Sequence, residues 1–396
     1  MTELTDLESI VADMLEDVSR PTAQARGLPG LAFSDPAFLE LENRRLFPRC
    51  WVAAGAASDI PEPGDARPVE VAGLPLVLLR DRDGSVKAFH NVCRHRAMTV
   101  VTEPCKGLKT LRCPWHAWAY ALDGRLVATP NLGGIGKGEA EGFEKADLGL
   151  KPVRAGEWLG IVFVNIDGRA EPLERHTGPL QEKFAAFDFS CLKHGATTER
   201  IFEANWKLSI EGGIEDYHLP WVHPQAVNGD GVVWTPRTLW DERHYVGVAG
   251  KIERQDGEGP AVDDSRRKGT LPTFPNLPAD VDSNGSFICQ FPNLGVGVFH
   301  DHVVTTIFTP LGPDRTHARK DYFFVGDAAT DPELAEARAE VIAGWITIGD
   351  QDKPLVEQVH RNHKTRARSG IDTVFSPYWE DAVQHFQKTV ASYLVD

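Results

Sequence analysis

The chain of 396 residues is 42% hydrophobic and 25% charged, with a formal charge of −15; this suits a globular protein large enough for two or three cores. That acidic balance argues against nucleic acid as a partner, because a phosphate backbone is held by clustered Lys and Arg. No apolar run approaches the roughly 20 residues that span a bilayer, so no membrane partner is expected.

Residues 1–48 have the pattern of a helical leader and arm. Leu4, Leu7, Ile10, Val11, Met14 and Leu15 recur at helical spacing until Pro21, Gly27, Pro29 and Gly30 break it. This acidic start has neither the basic opening nor the apolar core of a signal peptide, so a cytoplasmic address is expected. There, the six cysteines are expected to be metal ligands or buried thiols rather than disulfides.

Residues 49–168 predict a compact all-β unit. Short strands at residues 69–71 and 76–79 precede Asp81-Arg82-Asp83-Gly84, a hairpin signal, and residues 159–166 predict another buried strand. Residues 169–396 are mixed. A helix is predicted over 179–187. Residues 251–285, rich in Gly, Pro, Asp and Ser, predict a long mobile loop suited to covering an active site. Strands follow at 286–289 and 303–308. A helix then begins at Thr330-Asp331-Pro332-Glu333, with Thr330 and Glu333 as a capping box and Pro332 in the first turn.

Two constellations carry metal chemistry. Cys93-Arg94-His95 is followed, after seventeen residues, by Cys113-Pro114-Trp115-His116. Two loops that each offer one thiolate and one imidazole suit a Rieske centre, in which Cys93 and Cys113 take one iron of a [2Fe–2S] cluster and His95 and His116 the other. Structural zinc is the competing assignment, but zinc modules open with ligands two to four residues apart, and Cys-x-His is tighter than that. Arg94, Arg96 and Trp115 are expected to shape the loops and donate hydrogen bonds that tune the cluster. Cys50, Cys105, Cys191 and Cys289 lack ligand spacing and are expected to be structural.

The second constellation is His218 and His223, in a stretch where Pro220 and Pro224 let the chain bend both rings toward one point. A two-His, one-carboxylate site for Fe(2+) needs one acid more. The last long helix supplies Asp352, which interrupts an apolar stripe of Val341, Trp345, Ile348, Leu355 and Val359. Asp350 lies off that stripe. Pro354 is awkward within this helix and is expected to kink it.

With both constellations in this order, the sequence resembles the α subunits of Rieske non-haem iron ring-hydroxylating oxygenases. The resemblance runs from about Phe33 to His360. It rests on Cys93-x-His95, Cys113-x-x-His116, Asn205-Trp206-Lys207, Glu215-x-x-His218-x-x-x-x-His223, Pro310-Leu311-Gly312-Pro313-Asp314-Arg315 and Gln351-Asp352. It implies an α+β fold: a Rieske all-β domain, then a helix-grip domain in which an antiparallel sheet wraps a long C-terminal helix. It further implies a homotrimer in which electrons cross from one subunit's cluster to its neighbour's iron, with His116 meeting the neighbour's Glu215 and Glu215 touching His218. The family's commonest residue three places before the first iron-binding His is Asp. Glu215 there is similar to members acting on quaternary ammonium compounds, and Asp216 is the alternative bridge. Ala97 and Ala117 stand where glycines are common.

The implied function is a terminal oxygenase that uses O2 to hydroxylate or demethylate a small substrate, with Asn205 either lining the iron pocket or capping a helix or turn. No dinucleotide-binding glycine motif and no plant-type ferredoxin pattern occurs, so a separate NAD(P)H-dependent reductase, with or without a ferredoxin, is expected to supply electrons. Two substrate classes stand open. One is a quaternary ammonium or betaine compound, held by an aromatic cage drawn from Tyr217, Trp221, Trp234 and Trp240. The other is an aromatic acid or ether. A non-catalytic electron-transfer protein would need little more than residues 49–168.

Overall fold

The computed structural model describes residues 4–224, 232–235, 238–241, 243–249, 251–254, 270–277 and 285–395. Most of the loop expected over 251–285 therefore lies outside the described residues. Two compact units emerge, Phe47–Leu173 on one hand and Met1–Leu46 with Glu174–Asp396 on the other.

The Phe47–Leu173 unit is all-β. Six strands, β1 (Val52–Ala56), β2 (Ala66–Val71), β3 (Leu74–Arg80), β4 (Val86–His90), β8 (Pro152–Trp158) and β9 (Ile161–Asn165), form an antiparallel sheet in the order β1-β9-β8-β4-β3-β2. A smaller sheet, β5 (Leu111–Arg112), β6 (Ala119–Tyr120) and β7 (Leu126–Ala128), is inserted between β4 and β8. The strand expected over 159–166 starts two residues later. Leu159 and Gly160 both have positive φ, 51° and 68°, and make the two-residue turn between β8 and β9, the geometry that matches the twist of a tight hairpin. One hydrophobic core holds Val77, Leu79, Phe89, Leu111, Trp118 and Tyr120 around Cys93 and Cys113.

In the other unit, β10 (Leu192–Phe202), β12 (Thr238–Trp240), β13 (Tyr245–Ala249), β15 (Ser286–Gln290), β16 (Leu294–Val298), β17 (His302–Gly312) and β18 (Arg315–Val325) form a seven-stranded sheet. Its order is β10-β18-β17-β16-β15-β13-β12, antiparallel throughout, and β11 (Val232–Thr235) pairs separately with β14 (Lys251–Arg254). The helices are α1 (Leu4–Val18), α2 (Leu31–Ser34), α3 (Pro36–Arg45), α4 (Leu173–Lys183), α5 (Trp206–Glu211), α6 (Leu219–Val222), α7 (Ala335–Ser369) and α8 (Asp381–Leu394). None among the described residues is long and apolar enough to cross a membrane. Helix α4 begins at Leu173, earlier than expected, and contains Pro179.

The leader belongs to this unit rather than standing apart. Leu7, Val11, Met14 and Val18 are buried on α1, and Glu42 of α3 reaches α5. Its carboxylate lies 2.5 Å from Lys207 Nζ and accepts the Trp206 indole N–H at 2.7 Å, all three groups being buried. Two features of the long helix differ from expectation. Asp331, not Thr330, caps the single 3-10 turn before α7 by accepting the Glu333 N–H. Beyond Asp352 the buried side passes through Val356, His360 and His363, while Leu355 and Val359 are exposed. A stripe spaced by sevens drifts about 20° per heptad around a straight helix, so it cannot stay on one face over 35 residues. Pro354 is accommodated inside α7, which runs unbroken past it.

Candidate metal centres

Cys93 and His95 lie in the loop after β4, and Cys113 and His116 in the loop between β5 and β6. The two loops share one backbone pattern. The N–H of the Cys bonds the carbonyl five residues on (Cys93 to Met98 and Cys113 to Trp118, both 2.8 Å), and Ala97 and Ala117 donate back to the two Cys carbonyls. That tight return forces Ala97 and Ala117 into the left-handed region, at φ 57° and 59°, which explains why glycine suits these places. The imidazoles meet edge to face at 4.6 Å between ring centres, and His95 stacks on Trp118 at 4.7 Å. Burial, then the neighbouring His116 and Arg96, keep the His95 pKa low, which favours the neutral ligand form. Burial pushes the Cys113 thiol up.

Of the expected donors, Trp115 offers its backbone N–H to the Cys113 sulfur, as does His116, while the two arginines turn elsewhere. Arg94 donates to the Gly149 carbonyl, and the Arg96 guanidinium lies over the Trp115 ring. A side chain, Tyr120, stands beside the other sulfur. Its hydroxyl accepts the Arg94 N–H at 3.0 Å, leaving its own proton for Cys93 Sγ at 3.2 Å. Nothing local announces this pair, which β6 brings together from 27 residues away.

In the other unit, His218 closes the loop after α5, His223 follows α6, and Asp352 projects from α7. One ligand atom from each lies within 4.8 Å of the other two, the one such group among the described residues. Glu215 accepts from His218 Nδ1 and also receives the N–H groups of Tyr217 and His218. On His223, Nδ1 donates to Gln351 Oε1 at 2.8 Å. Each ring thus engages Nδ1 with an outer partner and turns Nε2 toward Asp352. His223 Nε2 is buried without a hydrogen bond, 2.8 Å from Asp352 Oδ1, and His218 Nε2 is 3.8 Å from the same oxygen. Two imidazole nitrogens and a carboxylate oxygen facing one point make a site for a cation. Burial opposes charge on both rings, yet Glu215 and Asp352 outweigh it and both pKa values are raised. The donor set, two imidazoles and one carboxylate, fits non-haem Fe(II).

Among the other residues singled out from sequence, Asp350 pairs with Arg200 at 2.5 Å. Asn205 takes the place of a helix cap. Its Oδ1 accepts the Lys207 N–H as the N-cap of α5 and its Nδ2 donates to Pro313 O, so both ends are committed to holding α5 and β17–β18 together. The described members of the aromatic cage do not gather. Tyr217 stacks on Trp379 and Trp240 on His385, Trp221 is 81% exposed, and the side chain of Trp234 lies outside the described residues. Gln351 was missed as an orienting residue, although its place beside Asp352 on one helix turn offered a hint.

Residues 50–139 match the Rieske [2Fe-2S] domain, and residues 189–396 match the family of ring hydroxylating alpha subunits, catalytic domain. The glycine betaine monooxygenase oxygenase subunit of Chromohalobacter salexigens is 28% identical, over 90% of this chain and 84% of its own. The carnitine monooxygenase oxygenase subunit of Acinetobacter baumannii is 26% identical, over 97% and 99%. A quaternary ammonium Rieske monooxygenase crystallised with L-carnitine shares the fold at a TM-score of 0.75 and 22% identity, covering 96% of this chain and 98% of that one. The catalytic-domain match spans more than half of the chain, which therefore belongs to the ring-hydroxylating oxygenase α-subunit family and is a Rieske non-haem iron oxygenase with a [2Fe–2S] cluster and Fe(II).

Proposed function

We propose that this oxygenase hydroxylates or oxidatively demethylates a small quaternary ammonium compound of the betaine type, with Fe(II) held by His218, His223 and Asp352. The observation that carries the iron site is the convergence of those three ligand atoms within 4.8 Å, with both Nδ1 edges already engaged. Cys93 and Cys113 hold one iron of the cluster, and His95 and His116 the other. The substrate class is supported by the two relatives above, named for glycine betaine and carnitine and matched over most of their length.

Iron in this setting supplies one-electron and dioxygen chemistry at the positions that three protein ligands leave open. The chain's own contribution is orientation. Glu215 fixes the tautomer and tilt of His218, and Gln351 does the same for His223, so both rings present Nε2. Glu215 rather than Asp216 would link His218 to the cluster held by a neighbouring subunit, because Glu215 is the acid hydrogen-bonded to that ring. This route makes the working form a homotrimer, and a separate NAD(P)H-dependent reductase supplies the electrons.

The test is a panel of betaines and aromatic acids scored for reductase-dependent oxygen uptake and formaldehyde release. Uptake with release on a methylated ammonium substrate supports the reading. Uptake coupled to aromatic substrates alone would sink the ammonium class and favour ring hydroxylation or O-demethylation.

A further inference from the structure

Cross-strand register lays out the sheet face beneath α7. Thr198, Lys320, Thr306 and Gly295 stand opposite one another on β10, β18, β17 and β16. On one side of this polar row lies the apolar cluster of Tyr322, Val304, Ala196 and Trp345, and on the other that of Ala318, Phe308 and Phe202. A lysine between two apolar rows is costly to place.

The Lys320 ammonium lies 4.1 Å from the centre of the Trp345 ring of α7. That ring is a fixed platform. Its Nε1 donates to His302 Nε2 at 3.2 Å, and Phe287 and Phe299 pack against it edge to face. The nearby guanidinium of Arg200 is answered by Asp350 at 2.5 Å. Lys320 has no such partner: among the described residues no carboxylate forms an ion pair with it. Burial, with Arg200 adding to it, pushes its pKa down to about 8, while Asp352 pulls the other way. Taken whole, the residue is only partly buried. An ammonium with no carboxylate of its own, on the sheet face turned toward α7 and within the field of Asp352, is left to meet an anion brought in from outside.

On the reading of His218, His223 and Asp352 as the reaction site, we infer that Lys320 anchors a carboxylate of the substrate. Trp345 and Asp352 are seven residues apart on α7, hence on one face and separated by about 10 Å of rise. A carboxylate about 3 Å from the ammonium leaves room for a molecule about three to five bonds long between that group and the reacting carbon. Betaines and simple aromatic acids both have that reach. The favoured substrate is therefore an acid, and the ammonium group of a betaine lies toward the iron end.

The experiment uses the intact holoenzyme with glycine betaine against choline, and benzoate against benzamide, followed by calorimetry and by reductase-dependent oxygen uptake. For at least one pair the wild type should bind the acid about 30-fold more tightly than its uncarboxylated partner. Lys320→Met should abolish that preference by raising Kd and KM for the acid, with iron content and the cluster EPR signal as in wild type. Lys320→Arg should keep most of it. A wild type that binds acid and uncarboxylated partner equally overturns the assignment, as does a Lys320→Met protein whose affinity for the acid stays within twofold of wild type. Selection of benzoate over benzamide with no turnover of any ammonium compound would remove the betaine reading and leave Lys320 in its role. Turnover of choline in preference to glycine betaine, with no acid selected in either pair, would do the reverse.

Discussion

Gln351 Oε1 accepts a hydrogen bond from His223 Nδ1 at 2.8 Å, and the next residue on the same helix, Asp352, places its Oδ1 2.8 Å from Nε2 of that ring. One turn of α7 thus grips both edges of one imidazole. Replacing Gln351 with Leu frees the ring to rotate or change tautomer. Iron affinity should fall about 10- to 100-fold, measured by chelator competition, while the cluster EPR signal stays unchanged. Iron affinity equal to wild type would show that the bond does not orient His223.

Tyr120 supplies the hydrogen bond to Cys93 Sγ. A donor to a cluster sulfur stabilises the reduced, more negative state. Tyr120→Phe should lower the cluster reduction potential by about 50 mV, which in a one-electron couple is about 1.2 kcal/mol, the size of one ordinary hydrogen bond. Protein-film voltammetry reads this directly, and an unmoved potential would remove Tyr120 from the tuning set.

Sequence pattern went furthest where function depends on local spacing. The two Cys-His loops could be recognised because each holds its ligands within four residues, and Asp352 stood out because a carboxylate interrupted an apolar stripe. Pairings made by the sheet were not legible. Tyr120 meets Cys93, Lys320 meets Trp345, and Glu42 meets Lys207 only once strands and helices from distant parts of the chain are side by side. Asn205 stayed ambiguous because a helix cap and a pocket residue look alike in one dimension. The turn at Leu159-Gly160 was hidden because leucine seldom accepts positive φ, so an apolar run passed for continuous strand.

Ala97 and Ala117 hold φ near +60°, where an L side chain costs about 1 to 2 kcal/mol. Ala97→Gly and Ala117→Gly should each stabilise the Phe47–Leu173 unit by about 0.5 to 1 kcal/mol, after the larger entropy of glycine in the unfolded chain is subtracted. Denaturant unfolding followed by cluster absorbance would register a higher midpoint. A lower midpoint would mean that the two methyl groups make packing contacts outweighing the backbone strain.

Glu42 and Lys207 are buried together, 1% and 0% exposed. Glu42→Ala leaves an ammonium enclosed and unpaired, and should destabilise the protein by about 3 to 5 kcal/mol. Pairing Glu42→Met with Lys207→Met should recover most of that loss, because the double variant buries no charge. Thermal unfolding of the two single variants and the double variant measures the coupling. Additive losses would show that the ion pair does not tie α3 to α5.

Lys320 faces Arg200 from β10, and Asp350 and Asp352 from α7. Its pKa lies near 8 instead of 10.5 because burial disfavours the ammonium. The sign follows: the cation that binds a carboxylate is present below about pH 8 and lost above it. Acid binding should be flat up to that pH and then weaken about tenfold per unit, and Lys320→Arg should move the break beyond reach. A wild-type profile that stays flat to pH 9.5 would contradict the carboxylate anchor.

The central claim is a cluster and a separate iron in one chain, and metal analysis of wild type and Asp352→Ala tests it most directly. Wild type should contain about three irons and about two acid-labile sulfides per chain. The variant should keep about two of each, with the same EPR spectrum of the dithionite-reduced cluster and no substrate-coupled oxygen uptake. Zinc without sulfide in the wild type, or an Asp352→Ala protein with undiminished iron and turnover, would contradict the account.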